Sequence, residues 1–176
     1  TVCPSGPNST AVCQAGVCDL VCAGGYADCN GDPNDGCEQP ILTDPSNCGA
    51  CGVRCATGRC ESSRCVLPAS LAPGYTHTCA RMNNGTVFCW GSNSTGQLGD
   101  GTHTDRPSPT PIMGLTDVVQ VGSGAQHACA RRMDGTVRCW GNNNAGQLGD
   151  GTTSERSTPA AVTGLTGAVE ITAGAQ

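Results

Sequence analysis

Six side chains with oxygen donors crowd one short stretch: Asp28, Asn30, Asp32, Asn34, Asp35 and Glu38. Oxygens at near-alternating positions can fold inward around a hard cation such as Ca²⁺. Pro33 stands where an EF-hand requires glycine, and Glu38 comes too early for the bidentate twelfth position, so the stretch is not that motif. The competing reading is a loop whose Asp and Asn side chains cap their own backbone. The sequence favours the loop and leaves calcium open; no other cofactor is expected. Cys48-Gly-Ala-Cys51 has the spacing of half a zinc knuckle, but among so many other cysteines disulfides are the stronger expectation. For nucleophilic catalysis the chain offers His77, His103 and His127, and neither a G-x-S-x-G elbow nor a cysteine with a plausible base partner. His77 and His127 occupy the same place in successive repeats. A side chain that recurs in this way serves the repeated element, by capping a turn or packing beside a hairpin, so no enzyme is expected. GQLGDGT, at 96–102 and again at 146–152, is not a phosphate cradle: no Lys-Ser or Lys-Thr follows it and no helix is expected there. Its glycines suit a tight turn, with Asp100 and Asp150 bonding local amides.

The elements that must position these residues follow from composition. The 176 residues include 15 cysteines and 26 glycines but only five aromatic side chains (Tyr26, Tyr75, Phe88, Trp90 and Trp140), too few to build an ordinary core. Cysteine at this density among Gly, Asn, Asp and Ser reads as a disulfide framework in an oxidising compartment, so a secreted or cell-surface location is expected. A net charge of −5 gives no reason to seek nucleic acid or anionic lipid. No window has the apolar length of a membrane span, and the first residues lack a signal-peptide pattern, which predicts a soluble, processed chain.

Composition changes after Cys65: eleven cysteines precede that point and four follow it. Two regions are expected, a cysteine-rich one over 1–65 and a repetitive one over 66–176. In the second, residues 79–126 align without a gap on 129–176 with 26 identities in 48 positions, a period of 50, and a third copy opens with AGAQ at 173–176. Short runs such as VVQV at 118–121, HACAR at 127–131 and TVRCW at 136–140 have strand character and are separated by Gly, Asp and Asn, so the region is all-β. Asn84-Gly85 and Asp134-Gly135 place glycine where a hairpin needs a positive φ. If the loops centre there, Cys79 faces Cys89 and Cys129 faces Cys139, close enough for two identical cross-hairpin bridges. In the first region CQAGVC at 13–18 recurs as CESSRC at 60–65, a unit of about 47 residues with Cys3 equivalent to Cys55. The eight cysteines from Cys22 to Cys65 then close on themselves. Of Cys3, Cys13 and Cys18, one is expected to pair outside the chain, Cys3 being the simplest choice.

The pattern of HxCA, NGTVxCWG or DGTVxCWG, GQLGDGT and a following R-x-x-P resembles the regulator of chromosome condensation repeat over residues 66–176. The resemblance implies a β-propeller of four-stranded blades, here two blades and the start of a third behind a small, loop-dominated, disulfide-rich region. Its eukaryotic founder promotes nucleotide exchange on a small GTPase, and secreted bacterial relatives include protein inhibitors; cysteines at both hairpin positions fit a secreted variant and not the exchange factor. GYADCNGDPNDGCEQPILTDPSNCGACGVRC in turn resembles cysteine-rich modules of bacterial surface proteins, which carry no known activity. On the repeat, Trp90 and Trp140 are expected to anchor blade on blade rather than to stack a ligand. Asn8, Asn84 and Asn93 match the N-glycosylation pattern, the last two on expected exposed loops. A propeller of two blades does not close, so the expected partners are further blades of the same chain or neighbouring copies of it. The first functional reading is an extracellular structural or adhesive surface protein, as in a fibre subunit. The alternative is a secreted propeller that captures a protein or carbohydrate.

Overall fold

The computed structural model describes residues 3, 5–14, 17–32 and 34–175, without the side chains of Cys13 and Gln14. The described residues contain strands and turns and no helix, and hence no helix long and apolar enough to cross a membrane. The chain divides into two units, Thr1–Leu67 and Pro68–Gln176.

The first unit is built from three two-stranded antiparallel ribbons. Strands β1 (Ser9–Gln14) and β2 (Val17–Cys22) form the longest, β3 (Tyr26–Ala27) pairs with β4 (Gln39–Pro40), and β5 (Cys60–Glu61) pairs with β6 (Arg64–Cys65). Ribbons this short are not stable in water by themselves, and the apolar side chains do little to help: Val17 and Val21 are 68% and 57% exposed. Among the described residues of this unit the buried hydrophobic ones are Cys37, Cys48, Cys55, Cys60 and Val66, so sulfur fills most of the core they make. Bonds join Cys3 to Cys18, Cys22 to Cys37, Cys29 to Cys51, Cys48 to Cys60 and Cys55 to Cys65. The expectation that Cys3 pairs outside the chain is therefore corrected. Cys3–Cys18 is the internal counterpart of Cys55–Cys65, because Cys3 corresponds to Cys55 and Cys18 to Cys65 in the repeat. Repetition constrains the pairing as well as the spacing. The side chain of Cys13, the third member of that set, lies outside the described residues.

The second unit holds two four-stranded antiparallel sheets. One is ordered β10-β9-β8-β7, from β7 (Pro68–Pro73), β8 (His77–Met82), β9 (Val87–Gly91) and β10 (Arg106–Pro111); the other is ordered β11-β12-β13-β14, from β11 (Val118–Ser123), β12 (His127–Arg132), β13 (Val137–Gly141) and β14 (Arg156–Ala161). Each is one blade. The outer strand of the first blade carries Pro107, Pro109 and Pro111, which an edge strand tolerates because half of its N–H groups face away from the ladder. Gly85 (φ +81°) and Gly135 (φ +76°) turn the β8–β9 and β12–β13 hairpins. Leu98, Ile112 and Leu115 of the first repeat interleave with Val118, Ala128, Ala130 and Trp140 of the second in one buried cluster that also takes in Cys79, Val87 and Cys89. The core of this unit is thus a junction between blades rather than the inside of either.

Candidate functional site

The 96–102 turn is organised from beneath by Asn93, which is fully buried. Its Oδ1 accepts the Leu98 N–H at 2.9 Å, while its Nδ2 donates to the carbonyls of Thr102 (3.0 Å) and Thr104 (3.2 Å) and lies 3.2 Å from Asp100 Oδ1. Asp100 accepts the Thr102 N–H and hydroxyl on one oxygen and the Arg106 Nε–H, at 2.7 Å, on the other. Burial opposes ionisation of Asp100, but these donors outweigh it and hold its carboxyl below the usual carboxylate range. Asn143, Asp150, Thr152 and Arg156 repeat the arrangement, and the Thr152 hydroxyl and Arg156 hold Asp150 well below that range. Every polar atom of the aspartates is directed to its own loop, so the turn presents its backbone and keeps no carboxylate in reserve for a ligand.

Blade meets blade through a short set of bonds across the cluster. Trp140 is fully buried, and its indole N–H donates to the Gln97 carbonyl at 3.0 Å. The Gly101 N–H donates to the Ser157 carbonyl (2.8 Å) and the Val118 N–H to that of Gly85 (3.0 Å). A Cβ placed on Gly96 or Gly99 would lie within 3.0 Å of Ser157 or of the Trp140 ring, so the glycines of the turn admit the next blade. His77 and His127, each 4% exposed, sit under Gly74 and Gly124 and leave no room there for a side chain. Both His77 ring nitrogens are buried without a hydrogen-bond partner. Burial, assisted by the charge His127 would carry, pushes the His77 pKa down to about 4, and burial lowers that of His127. Such rings are uncharged filling near neutral pH, and of the two roles expected of them, capping a turn or packing beside the hairpin, His77 fits the packing one.

The other sequence candidates are placed as follows. Asp28 caps the Gly31 N–H, Asn30 that of Asp32, and Asp32 that of Asn34; Asn30 also donates to Asp35, and Glu38 accepts the Cys29 N–H. Pro33 lies outside the described residues. Among the described residues, the one set of three His, Cys, Asp or Glu ligand atoms mutually within 4.8 Å is the sulfurs of Cys48, Cys55 and Cys65, all held in disulfides. Cys48 and Cys51 are bonded to different partners, Cys60 and Cys29, and do not form a thiolate pair. Cys79 is opposite Cys89 and Cys129 opposite Cys139 in the hairpin registers, and each pair is bonded. Asn8 and Asn84 are exposed. Asn93 is a correction: its amide is sealed inside the turn, so the folded chain cannot present it for glycosylation. Gln97, Gln147, Arg106 and Arg156 stand in the recurring GQLGDGT and R-x-x-P motifs, but the sequence alone assigns them no role.

Models of the regulator of chromosome condensation (RCC1) repeat match residues 84–131 and 134–176, and a second model of the same repeat matches 69–97 and 118–147. The chain is similar to the ultraviolet-B receptor UVR8 of Arabidopsis thaliana, 39% identical over 57 residues that cover 31% of this chain and 13% of the receptor. It is also similar to protein RCC2 of Homo sapiens, 42% identical over 64 residues, 32% of this chain and 12% of that protein. Among solved structures, yeast RCC1 (Prp20) bound to Kap60 superposes with a TM-score of 0.54 at 27% identity, covering 66% of this chain and 28% of that one. Human WBSCR16 superposes with a TM-score of 0.54 at 24% identity, covering 89% and 40%. Prp20p of Saccharomyces cerevisiae, solved in a study of its binding to Gsp1p and histones, gives 0.53 at 15% identity, covering 92% and 38%. The chain spans about an eighth of the length of these curated relatives.

Proposed function

The chain belongs to the regulator of chromosome condensation (RCC1) repeat family, and from that premise we propose that it is an extracellular, non-catalytic scaffold whose disulfide-stapled blades bind protein surfaces. The observation that carries the extracellular address is the first unit's core: among its described residues, four of the five buried hydrophobic ones are bonded cysteines. Reduction would leave that unit little to fold around, and a reducing compartment would keep it reduced. Binding to protein is supported by the likeness to yeast RCC1 (Prp20), which was solved with Kap60 bound. The net charge of −5 favours a protein partner over nucleic acid. A non-catalytic role is supported by the burial of His77 and His127 and by Asp100 and Asp150, which are wholly engaged in their own turns. A structural or adhesive role at the cell surface is the finer form of this reading. The test is a thiol count on protein recovered from an oxidising compartment of its source. Seven cystines are expected; free thiols at most of the cysteines, in protein that is nonetheless folded, would overturn the reading.

A further inference from the structure

Two cystines of the first unit meet. The sulfurs of Cys48, Cys55 and Cys65 lie within 4.8 Å of one another, and the fourth sulfur, that of Cys60, is bonded to Cys48. Cys60 and Cys65 are directly opposite on the β5–β6 ribbon, while Cys48 and Cys55 come from the loops that precede it. Cys48, Cys55 and Cys60 are buried, with Cys65 packed against them. Backbone bonds that owe nothing to sulfur help to place these segments. The Cys48 N–H donates to the Val53 carbonyl and the Cys55 N–H to that of Pro45, both at 2.8 Å, and the Ser63 N–H donates to that of Leu42 at 3.1 Å. Gly49 (φ +81°) passes so close to the turn of the ribbon that a Cβ there would lie 2.7 Å from the Ser63 carbonyl oxygen. Among the described residues, this is the one place where three potential metal-ligand atoms converge.

We propose that Cys48, Cys55, Cys60 and Cys65, in the thiol form of the chain, are a zinc site that holds Zn²⁺ as a tetrathiolate. Chains are made with free thiols in a reducing compartment, so the site is open until its two cystines close. Four thiolates on a tetrahedral zinc ion, at Zn–S distances of about 2.3 Å, stand about 3.8 Å from one another. Cys48 is no more than 4.8 Å from Cys55 and from Cys65, about 1 Å beyond that spacing at most, and the bonded sulfurs have only to part to reach it. Cys55, Cys60 and Cys65 are separated by four residues each, within the range of short zinc-ligand loops, and Gly58 (φ +65°) turns the first of those loops. Charge favours this set over the other cysteines of the unit. Four thiolates leave a zinc ion with a double negative charge, and Arg54, Arg59 and Arg64, the only cationic side chains in residues 1–65, each directly precede a ligand. All three are exposed, and Arg59 also pairs with Glu61. Cys22, Cys29 and Cys37 are interspersed instead with Asp28, Asp32, Asp35 and Glu38, whose charges oppose a further anionic centre. Cys51, the other half of the knuckle spacing, is bonded to Cys29 and is not a ligand. Zinc thus supplies to the thiol form the cohesion that the two cystines supply after oxidation.

The test uses the full 176-residue chain, reduced with a phosphine and kept free of oxygen. Titrated with Zn²⁺ against a chromophoric chelator, it should bind one ion with a dissociation constant of roughly 0.1 μM or tighter. Co²⁺ in its place should give the visible bands of a tetrahedral thiolate complex. Alkylation of the zinc-loaded chain with iodoacetamide, mapped by mass spectrometry, should spare Cys48, Cys55, Cys60 and Cys65 and modify the other cysteines, Cys51 included. Cys55→Ser with Cys65→Ser should weaken zinc binding by more than the roughly hundredfold that loss of an outer-shell partner costs, whereas Cys29→Ser with Cys51→Ser should bind as the wild type does. A reduced chain that takes up no zinc, protection that falls equally on Cys22, Cys29 or Cys51, or a Cys29 and Cys51 variant that loses as much affinity as the Cys55 and Cys65 variant would each overturn the proposal. The cystine count of the recovered protein, which tests the proposed function, is a separate measurement, so the two readings can fail independently.

Discussion

Asn93 gives a clear case of a side chain whose surface appearance in sequence is reversed by the fold. In Asn93-Ser94-Thr95 it reads as a glycan acceptor, yet it satisfies one amide and two carbonyls inside the GQLGDGT turn. Asn93→Ala leaves those groups buried and unpaired, at a cost on the order of 3 kcal/mol. Urea titration of the oxidised protein should show the unfolding free energy fall by that amount, with a correspondingly lower midpoint, and in a glycosylating host Asn93 should be unmodified in the folded product. His77 leads to a pH effect. Its pKa is about 4 in the folded chain against 6.5 when unperturbed, so between those values the unfolded chain binds more protons than the folded one. Stability from this group is therefore fully present above about pH 6.5 and is lost as pH falls toward 4, with His127 acting in the same direction. Melting temperature followed over that range should drop for the wild type and drop less for His77→Phe. An equal drop in both would show that the acid sensitivity resides elsewhere.

At the scale of elements, a blade hairpin is a short ribbon held twice, by its ladder and by its cystine. Closing a loop of ten residues with a disulfide stabilises by about 2–3 kcal/mol through the unfolded state. Cys129→Ala with Cys139→Ala should lower stability by about that much, measured by denaturant titration. Because Cys79 and Cys89 also belong to the buried junction, the corresponding pair of alanines should cost more, adding lost packing to lost chain constraint. Equal losses for the two pairs would mean that the junction does not depend on those sulfurs. These hairpins were legible in the sequence because spacing alone places Cys79 across from Cys89 once Gly85 is taken as the turn. The pairing within the first region was not legible, since eight cysteines allow too many connections and its ribbons are too short to set a register that sequence could announce.

Over the whole molecule, two ways of holding a chain together are joined end to end. The first unit depends on cystines, with little apolar burial; the second has an apolar cluster crossing between blades, to which its two cystines add. Graded reduction should therefore separate them. As dithiol is raised, limited proteolysis should remove the region before Pro68 while a fragment close to 68–176 persists, and loss of both at one dithiol concentration would contradict the division.

Much of this protein could be read from the residues in order. Repetition at a period of 50 gave the blades, because identical local sequences under identical constraints make identical hairpins. Cysteine density in a glycine-rich chain pointed to covalent rather than apolar cohesion. What needed the tertiary structure was which atoms face which. The burial of Asn93, the unpartnered ring of His77, the bond from Trp140 to Gln97 and the choice of Cys18 as the partner of Cys3 arise from contacts between segments distant in sequence or from a turn closing over a side chain. Pattern records the type of each residue and its neighbours along the chain, whereas burial and partnership are set by distances in space that appear only once blade has closed on blade.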